Sequence, residues 1–287
     1  MELLFDRARE CLLECEPSRK CEAVHRLYQQ WLEGVVSLDN DHPPVEIERP
    51  GRPARPELVH PRDLPRRSPG TTEGRAALIH AIAHIEFNAI NLALDAIVRF
   101  PYMPRDYHAD WLKVAAEEAG HFRLLSARLG ELGYVYGDFH AHNGLWDMAL
   151  RTAGSVLDRM ALVPRLMEAR GLDVTPDMIE RLLSVGDHET VAALRVILDE
   201  EVRHVEIGTR WFRHCCEEEG VEPQDLAREL SRLTDIRKFL ERKKGDQEQG
   251  EDDPLRAAEH RFATSQASAA ATSRPARGFP PSPGSPA

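Results

Sequence analysis

The stretch Trp111-Leu112-Lys113-Val114-Ala115-Ala116-Glu117-Glu118-Ala119-Gly120-His121-Phe122-Arg123-Leu124-Leu125 decides how this chain is read. Its apolar residues recur at the three- and four-residue spacing of an amphipathic helix. Residues three apart on a helix share a face, so Glu118 and His121 stand one above the other. Glu118 has Trp111, Val114, Ala115, Phe122 and Leu125 at its helical neighbour positions, which places its carboxylate in an apolar stripe. A buried carboxylate is costly unless a cation or a proton accompanies it. A carboxylate and an imidazole so placed can hold the same metal ion.

One Glu-x-x-His is a weak signal, because charged helices make such pairs by accident. The chain holds a second, Glu201-Val202-Arg203-His204, with Leu194, Ile197, Leu198, Val205 and Gly208 around Glu201. The preceding glutamates are set aside. Glu117 shares a face with Asp110 and Lys113 and reads as solvated, and Glu200 lacks a histidine three residues on. A two-metal site inside a four-helix bundle also needs a carboxylate, here expected to bridge, from each of the other two helices. Glu86, flanked by Ile82, Ala83, Ala89, Ile90 and Ala93, is the only acidic residue on its stripe. Glu168 follows Pro164, on a stripe with Ala161, Leu172 and Arg165. Glu86 precedes Glu118 by 32 residues and Glu168 precedes Glu201 by 33, so each half of the bundle repeats one plan. The expected ligands are therefore Glu86, Glu118, His121, Glu168, Glu201 and His204. Arg165 shares the Glu168 face; it either points at the site, toward a ligand carboxylate or an anionic substrate group, or is turned to solvent by the Pro164 kink.

Working outward, the apolar period predicts long helices over about 72–99, 104–133, 144–170 and 187–219. Pro101 stops the first, Gly171 the third and Gly220 the fourth, while Asp187 caps the start of the fourth. A short helix is expected over 175–185 and a last amphipathic one over 223–243. Two shorter helices fill residues 2–35. Between about 39 and 68 Pro43, Pro44, Pro50, Pro53, Pro56, Pro61 and Pro65 exclude regular helix. That segment reads as an arm laid over the bundle, anchored by Leu58, Val59 and Leu64. Residues 245–287 are rich in Ser, Ala, Pro and Gly and read as disordered. Nothing reads as a strand. The expected fold is all-α, a four-helix bundle with extra helices: residues 1–36 N-terminal helices, 37–71 the Pro-rich arm, 72–243 the metal-binding bundle, 244–287 the tail.

These motifs resemble the ferritin-like superfamily of ferritins, rubrerythrins and di-iron oxidases and hydroxylases. The closer resemblance is to a bacterial ferritin-like family of unknown function. It is carried by His84-Ile85-Glu86, Glu117-Glu118-Ala119-Gly120-His121-Phe122, Glu168-Ala169-Arg170-Gly171-Leu172-Asp173 and Glu200-Glu201-Val202-Arg203-His204, and covers about residues 1–240. The resemblance implies a ferritin-like fold and the six ligands, and no substrate. The tRNA-modifying di-iron hydroxylases are more distant relatives with the same ligand plan.

The 287 residues carry a net charge of −11, which disfavours nonspecific contact with nucleic acid or anionic membrane. No apolar run looks long enough to cross a bilayer and the N-terminus lacks a signal-peptide pattern, so a cytoplasmic location is expected. Cys11, Cys15, Cys21, Cys215 and Cys216 have no zinc-finger spacing and read as reduced structural thiols. His80 and His84 lie off the Glu86 face and are excluded as ligands. His140 and His142 read as solvated, Trp111 and Phe122 as core, Tyr102 and Tyr107 as surface anchors at a loop. Hard carboxylates with imidazole suit two iron ions, with manganese the alternative. The expected function is a di-iron oxidase or hydroxylase using dioxygen, with an RNA-modifying hydroxylase as a subset. The alternatives are iron handling or peroxide detoxification, and a helical module with a structural metal. Implied partners are dioxygen or peroxide, an unidentified substrate, an unidentified electron donor, and a second copy in a homodimer.

Overall fold

The computed structural model describes residues 2–39, 42–65, 67–164 and 169–223. Within them the chain is mostly helical, with two very short strands and a long non-helical Pro-rich segment. Helices α3 (Thr72–Arg99) and α4 (Arg105–Glu131) form its central hairpin. The Thr71 side chain starts α3 by accepting the Gly74 N–H at 3.0 Å. Sequence reading finds no run apolar enough for a membrane, yet α3 by length and composition would qualify; 83% of its apolar window is instead buried inside the fold. A helix apolar on all sides is a core helix when others surround it, as α1, α4 and α5 surround this one.

Helix α8 (His188–Glu219) runs antiparallel to α4. Contacts along the pair show this, from Arg128–Asp187 at 2.9 Å through His121–Glu200 at 2.8 Å and Glu117–His204 at 2.9 Å to Asp110–Trp211 at 2.7 Å. Asp187 caps its start by accepting the Thr190 N–H, and Gly220, at φ 67°, ends it in the left-handed region.

The expected single helix over 144–170 is broken. Helix α5 (Gly144–Arg151) and α6 (Val156–Leu162) are separated by a turn at 152–155. Arg159 holds the break: it donates to the Ala149 carbonyl at 2.6 Å, the acceptor that Ala153 N–H would use in a continuous helix, and to the Thr152 hydroxyl at 2.7 Å. Its other arm reaches Asp95 on α3 at 2.7 Å. Ser155 caps the restart through the Asp158 N–H. The next helix, α7 (Ala169–Ser184), passes through both Gly171, expected as a stop, and Pro176, expected as a start. Pro176 is exposed, so the hydrogen bond it cannot make lies on the solvent side while the opposite face packs on α8. Arg165, Glu168, nearly all of the helix expected over 223–243, and the tail after 243 lie outside the described residues.

Helices α1 (Leu4–Leu13) and α2 (Pro17–Leu32) cover the hairpin. Contrary to the strand-free expectation, β1 (Glu2–Leu3) pairs in parallel with β2 (Val36–Ser37), and Leu58 bridges to Ala141. Two-residue strands are too short to leave an alternating pattern in a sequence. The Pro-rich segment lies against the helices through backbone hydrogen bonds, among them Val45 N–H to Val98 O at 3.0 Å and Gly51 N–H to Leu12 O at 2.8 Å. Its buried residues are Ile47, Pro50, Gly51 and Pro56, not the expected anchors: Leu58 is 39% exposed, and Val59 and Leu64 are half-buried. Gly51 is required there, since a Cβ would collide with the carbonyls of Leu13 and Glu14. Beneath it the Lys20 ammonium donates to Leu12 O at 3.0 Å, Gly51 O at 2.9 Å and the Asn91 side-chain oxygen.

Candidate metal centre

Three helices bring carboxylates and imidazoles together near their midpoints. Helix α3 contributes Glu86, α4 contributes Glu118 and His121, and α8 contributes Glu201 and His204. All but Glu201, whose side chain is 15% exposed, are buried. One ligand atom each from Glu86, Glu118, His121 and Glu201 falls within a span of 4.8 Å. His121 aims Nδ1 at this point, 3.3 Å from Glu86, 3.2 Å from Glu118 and 3.8 Å from Glu201. His204 aims its own Nδ1 at a second point, 3.0 Å from Glu118 and 3.5 Å from Glu201. The ring centroids of His121 and His204 lie 5.9 Å apart.

Glu118 turns Oε2 to His121 and Oε1 to His204, and Glu201 turns Oε1 to His121 and Oε2 to His204. Each therefore presents one oxygen to each imidazole. Sequence reasoning expects the bridging carboxylates from Glu86 and Glu168; Glu168 lies outside the described residues, and among those described it is Glu118 and Glu201 that each face both imidazoles.

Both discounted glutamates belong to the site. Glu200 meets His121 Nε2 at 2.8 Å, and Glu117 meets His204 Nε2 at 2.9 Å. Glu117 also accepts from Arg203 at 2.6 Å. It is thus not a solvated residue, as its helical neighbours Asp110 and Lys113 suggest. The signal that could have found them is the doubled acid, Glu117-Glu118 and Glu200-Glu201, at the same place in both motifs. A carboxylate on the outer nitrogen of a ligand histidine fixes its tautomer and orientation.

The electrostatics ask for positive charge at the centre. Burial alone would lower the His121 imidazole, but Glu118 and Glu86 outweigh it and carry it up to about 11. Burial also opposes a charged His204, yet Glu117, Glu118 and Glu201 push it well above the usual imidazole range. Burial and the nearby Glu118 carboxylate raise Glu86. Burial would raise Glu118 as well, but the two imidazoles hold it well below the usual carboxylate range. Glu118 Oε1, Glu201 Oε2 and His204 Nδ1 are buried without a well-directed hydrogen bond. Buried lone pairs converging in this way suit a cation.

The excluded histidines turn elsewhere. His84 accepts the Tyr136 hydroxyl on Nδ1 at 2.8 Å and donates from Nε2 to the His142 carbonyl at 3.0 Å. His80 accepts the Gly137 N–H. His140 is half exposed beside Glu57. Trp111 and Phe122 are core residues, Tyr102 is exposed, and Tyr107 is fully buried rather than a surface anchor. All five cysteines are outside any disulfide, and only Cys15 is exposed.

A model of the family described as "Protein of unknown function (DUF455)" matches residues 13–246. A curated relative from Haemophilus influenzae (strain ATCC 51907 / DSM 11121 / KW20 / Rd), described as "Uncharacterized protein", is 42% identical over 236 residues, covering 79% of this chain and 82% of the relative. No solved structure matches the chain significantly.

Proposed function

We propose, for a chain that belongs to the DUF455 family of proteins of unknown function, that its carboxylate–histidine cluster is a dinuclear metal centre of the ferritin-like kind, that it holds two iron ions, and that the protein is an oxidoreductase using dioxygen. One observation carries this reading. Glu118 and Glu201 each divide their oxygens between two inward-facing imidazoles, and each imidazole is held from behind by a glutamate of the opposite helix. A cluster of chance ion pairs has no reason to repeat that arrangement. The donor set of oxygen and imidazole nitrogen suits iron or manganese.

Glu86 and His121 would hold one ion, and His204 the other, with Glu118 and Glu201 between them. When bound, two iron ions would supply the electrons for reducing dioxygen. The protein's own residues prepare that chemistry. Glu117 and Glu200 hold the outer imidazole nitrogens, so both inner nitrogens stay aimed at the centre. Trp111, Phe122, Leu125 and Ile197, all buried, keep bulk water from the ligand turns.

Metal analysis of freshly purified protein, followed by anaerobic ferrous titration and mixing with oxygen, tests the reading. We expect about two ions per chain, as in the bundle sites built on this plan, and rapid oxygen uptake. Full metal binding with iron that stays ferrous in air for hours would overturn the oxidoreductase and leave a structural metal.

A further inference from the structure

The two Glu-Glu-x-x-His motifs differ in the residue just ahead of the histidine. It is Arg203 on α8 and Gly120 on α4. Arg203 donates from Nη2 to Glu117 at 2.6 Å, and the Lys113 ammonium stands 3.9 Å from the same carboxylate. Glu117 in turn holds His204 from behind; its side chain is 17% exposed, and that of His204 is fully buried. On the mirror side Glu200 holds His121 at 2.8 Å with its side chain 36% exposed. Among the described residues Glu200 makes no other side-chain hydrogen bond or ion pair.

The antiparallel register relates the two sides. Arg203 reaches Glu117 from the turn of α8 that carries His204, so the α4 position mirroring it, facing Glu200, is Gly120. A Cβ at Gly120 would meet nothing within 4 Å. The residue is helical and has no left-handed φ that would call for glycine. Glycine inside a helix is destabilising relative to alanine. Neither packing nor backbone conformation therefore asks for it. Gly120 also lines a solvent-open cavity of about 930 Å³ with Arg123, Leu124 and Ala127, so a side chain would find room there.

We propose that Arg203 is a positioning residue that clamps the His204 half of the site, and that the missing counterpart at Gly120 makes the His121 half the port through which a metal ion enters and leaves. The proposal rests on the dinuclear reading above. How tightly each ion is held depends on its donors, and the His121 position has Glu86, Glu118 and Glu201 around it. How fast an ion exchanges depends on whether its imidazole can swing aside and admit water. For His204 to swing, Glu117 must move with it or let go, and a charge-assisted bond to Arg203 resists both. For His121 only the contact to Glu200 has to break, and that carboxylate already reaches water. The ion held by His121 is therefore the one that exchanges.

Two measurements on the full-length chain test this. From protein loaded anaerobically with two ferrous ions, release into a ferrous-specific chelator should occur in two phases of equal amplitude, at least about tenfold apart in rate. Arg203→Ala should speed the slow phase at least about fivefold and leave the fast one within about twofold. Gly120→Arg, which supplies the missing clamp, should slow the fast phase, while Gly120→Ala, too short to reach Glu200, should leave both. A single phase releasing both ions from wild type, or both phases changed alike by Arg203→Ala, overturns the proposal. In metal-free protein with isotope-labelled histidine, nuclear magnetic resonance should show the His204 Nε2–H exchanging with water at least about tenfold more slowly than the His121 Nε2–H, the two signals being assigned through Glu117→Gln and Glu200→Gln. Arg203→Ala should remove that difference. Equal exchange at the two rings in wild type overturns the clamp. Because this second measurement involves no metal, it decides the clamp even if the protein proves not to hold two ions and the dinuclear reading fails.

Discussion

Glu117 accepts from Nε2 of His204 at 2.9 Å, although the two residues belong to different Glu-Glu-x-x-His motifs on different helices. The mirror contact joins Glu200 to His121 at 2.8 Å. Each motif thus supplies the carboxylate that holds the other motif's histidine. The antiparallel pairing of α4 and α8 makes this reciprocal: the residue before each inward glutamate faces the opposite helix at the level of that helix's histidine.

Loss of either outer carboxylate should weaken metal binding without removing a ligand. Glu117→Ala and Glu200→Ala are each expected to lower metal affinity about 10- to 100-fold, measured by competition with a chelator. Affinities equal to wild type in both variants would show that the outer contacts do not orient the imidazoles.

Metal loading should expel protons. In the metal-free fold His121 is raised to about 11 and His204 is raised further, so both are imidazolium at neutral pH. Ligation requires the neutral ring, so loading near pH 7 should release about two protons from these histidines. Titration calorimetry in buffers of different ionisation enthalpy reads the net release, to which any proton leaving the raised Glu86 carboxyl adds. A buffer-independent heat would contradict the protonated cluster. The same shifts set a stability dependence in metal-free protein: both folded values exceed the unfolded one, so the stabilisation is complete below about pH 6.5 and is lost as pH rises toward the folded values.

Three other buried histidines act in the opposite direction. Burial lowers His80, His84 and His108 to about 4, despite a carboxylate near His80 and backbone acceptors near the others. Their folded values lie below the unfolded value near 6.5. Their contribution is therefore complete above that pH and is lost as pH falls through the window from about 6.5 to 4. Each such shift corresponds to roughly 3 kcal/mol. His108 is remote from the ligands, packed edge-on against Phe5 and donating to the Met103 carbonyl. His108→Gln should lower Tm at neutral pH and flatten the loss of Tm between pH 6.5 and 4. A slope as steep as wild type would remove His108 from the acid response.

Lys20 should hold the Pro-rich arm in place. Burial pushes its amine down to about 7, and the three oxygens around Nζ work against that by favouring the ammonium. Lys20→Met keeps the stem but leaves buried acceptors without a donor, at a cost of about 1–3 kcal/mol for each one left unsatisfied. Denaturant titration should show a lower midpoint for Lys20→Met and also for Gly51→Ala, whose Cβ has no room. A midpoint unchanged in both would show that the arm contributes nothing to stability.

The long helices are legible in the sequence because their boundaries are chemical. Thr71 and Asp187 cap, and Gly220 takes a left-handed turn. The end of α5 is not legible, because the break depends on Arg159, whose side chain competes for the Ala149 carbonyl only once Asp95 on α3 has drawn it inward. Gly171 and Pro176 look like a stop and a start when read locally. Packing of α7 on α8 outweighs both, and Pro176 lies on the exposed side.

Which residues of α3, α4 and α8 turn inward is written in each helix separately. Helical period and apolar neighbours follow from one chain segment at a time, so Glu86, Glu118, His121, Glu201 and His204 can all be read from the amino-acid order alone. How those side chains share their atoms is a property of the assembled helices. Glu118 and Glu201 span the two imidazoles, and Glu117 and Glu200 hold the imidazoles from behind, because the antiparallel register of α4 on α8 sets which residues face each other. That register is fixed by contacts far apart in the chain, from Arg128 with Asp187 to Asp110 with Trp211, and the periodicity of a single helix carries no record of it.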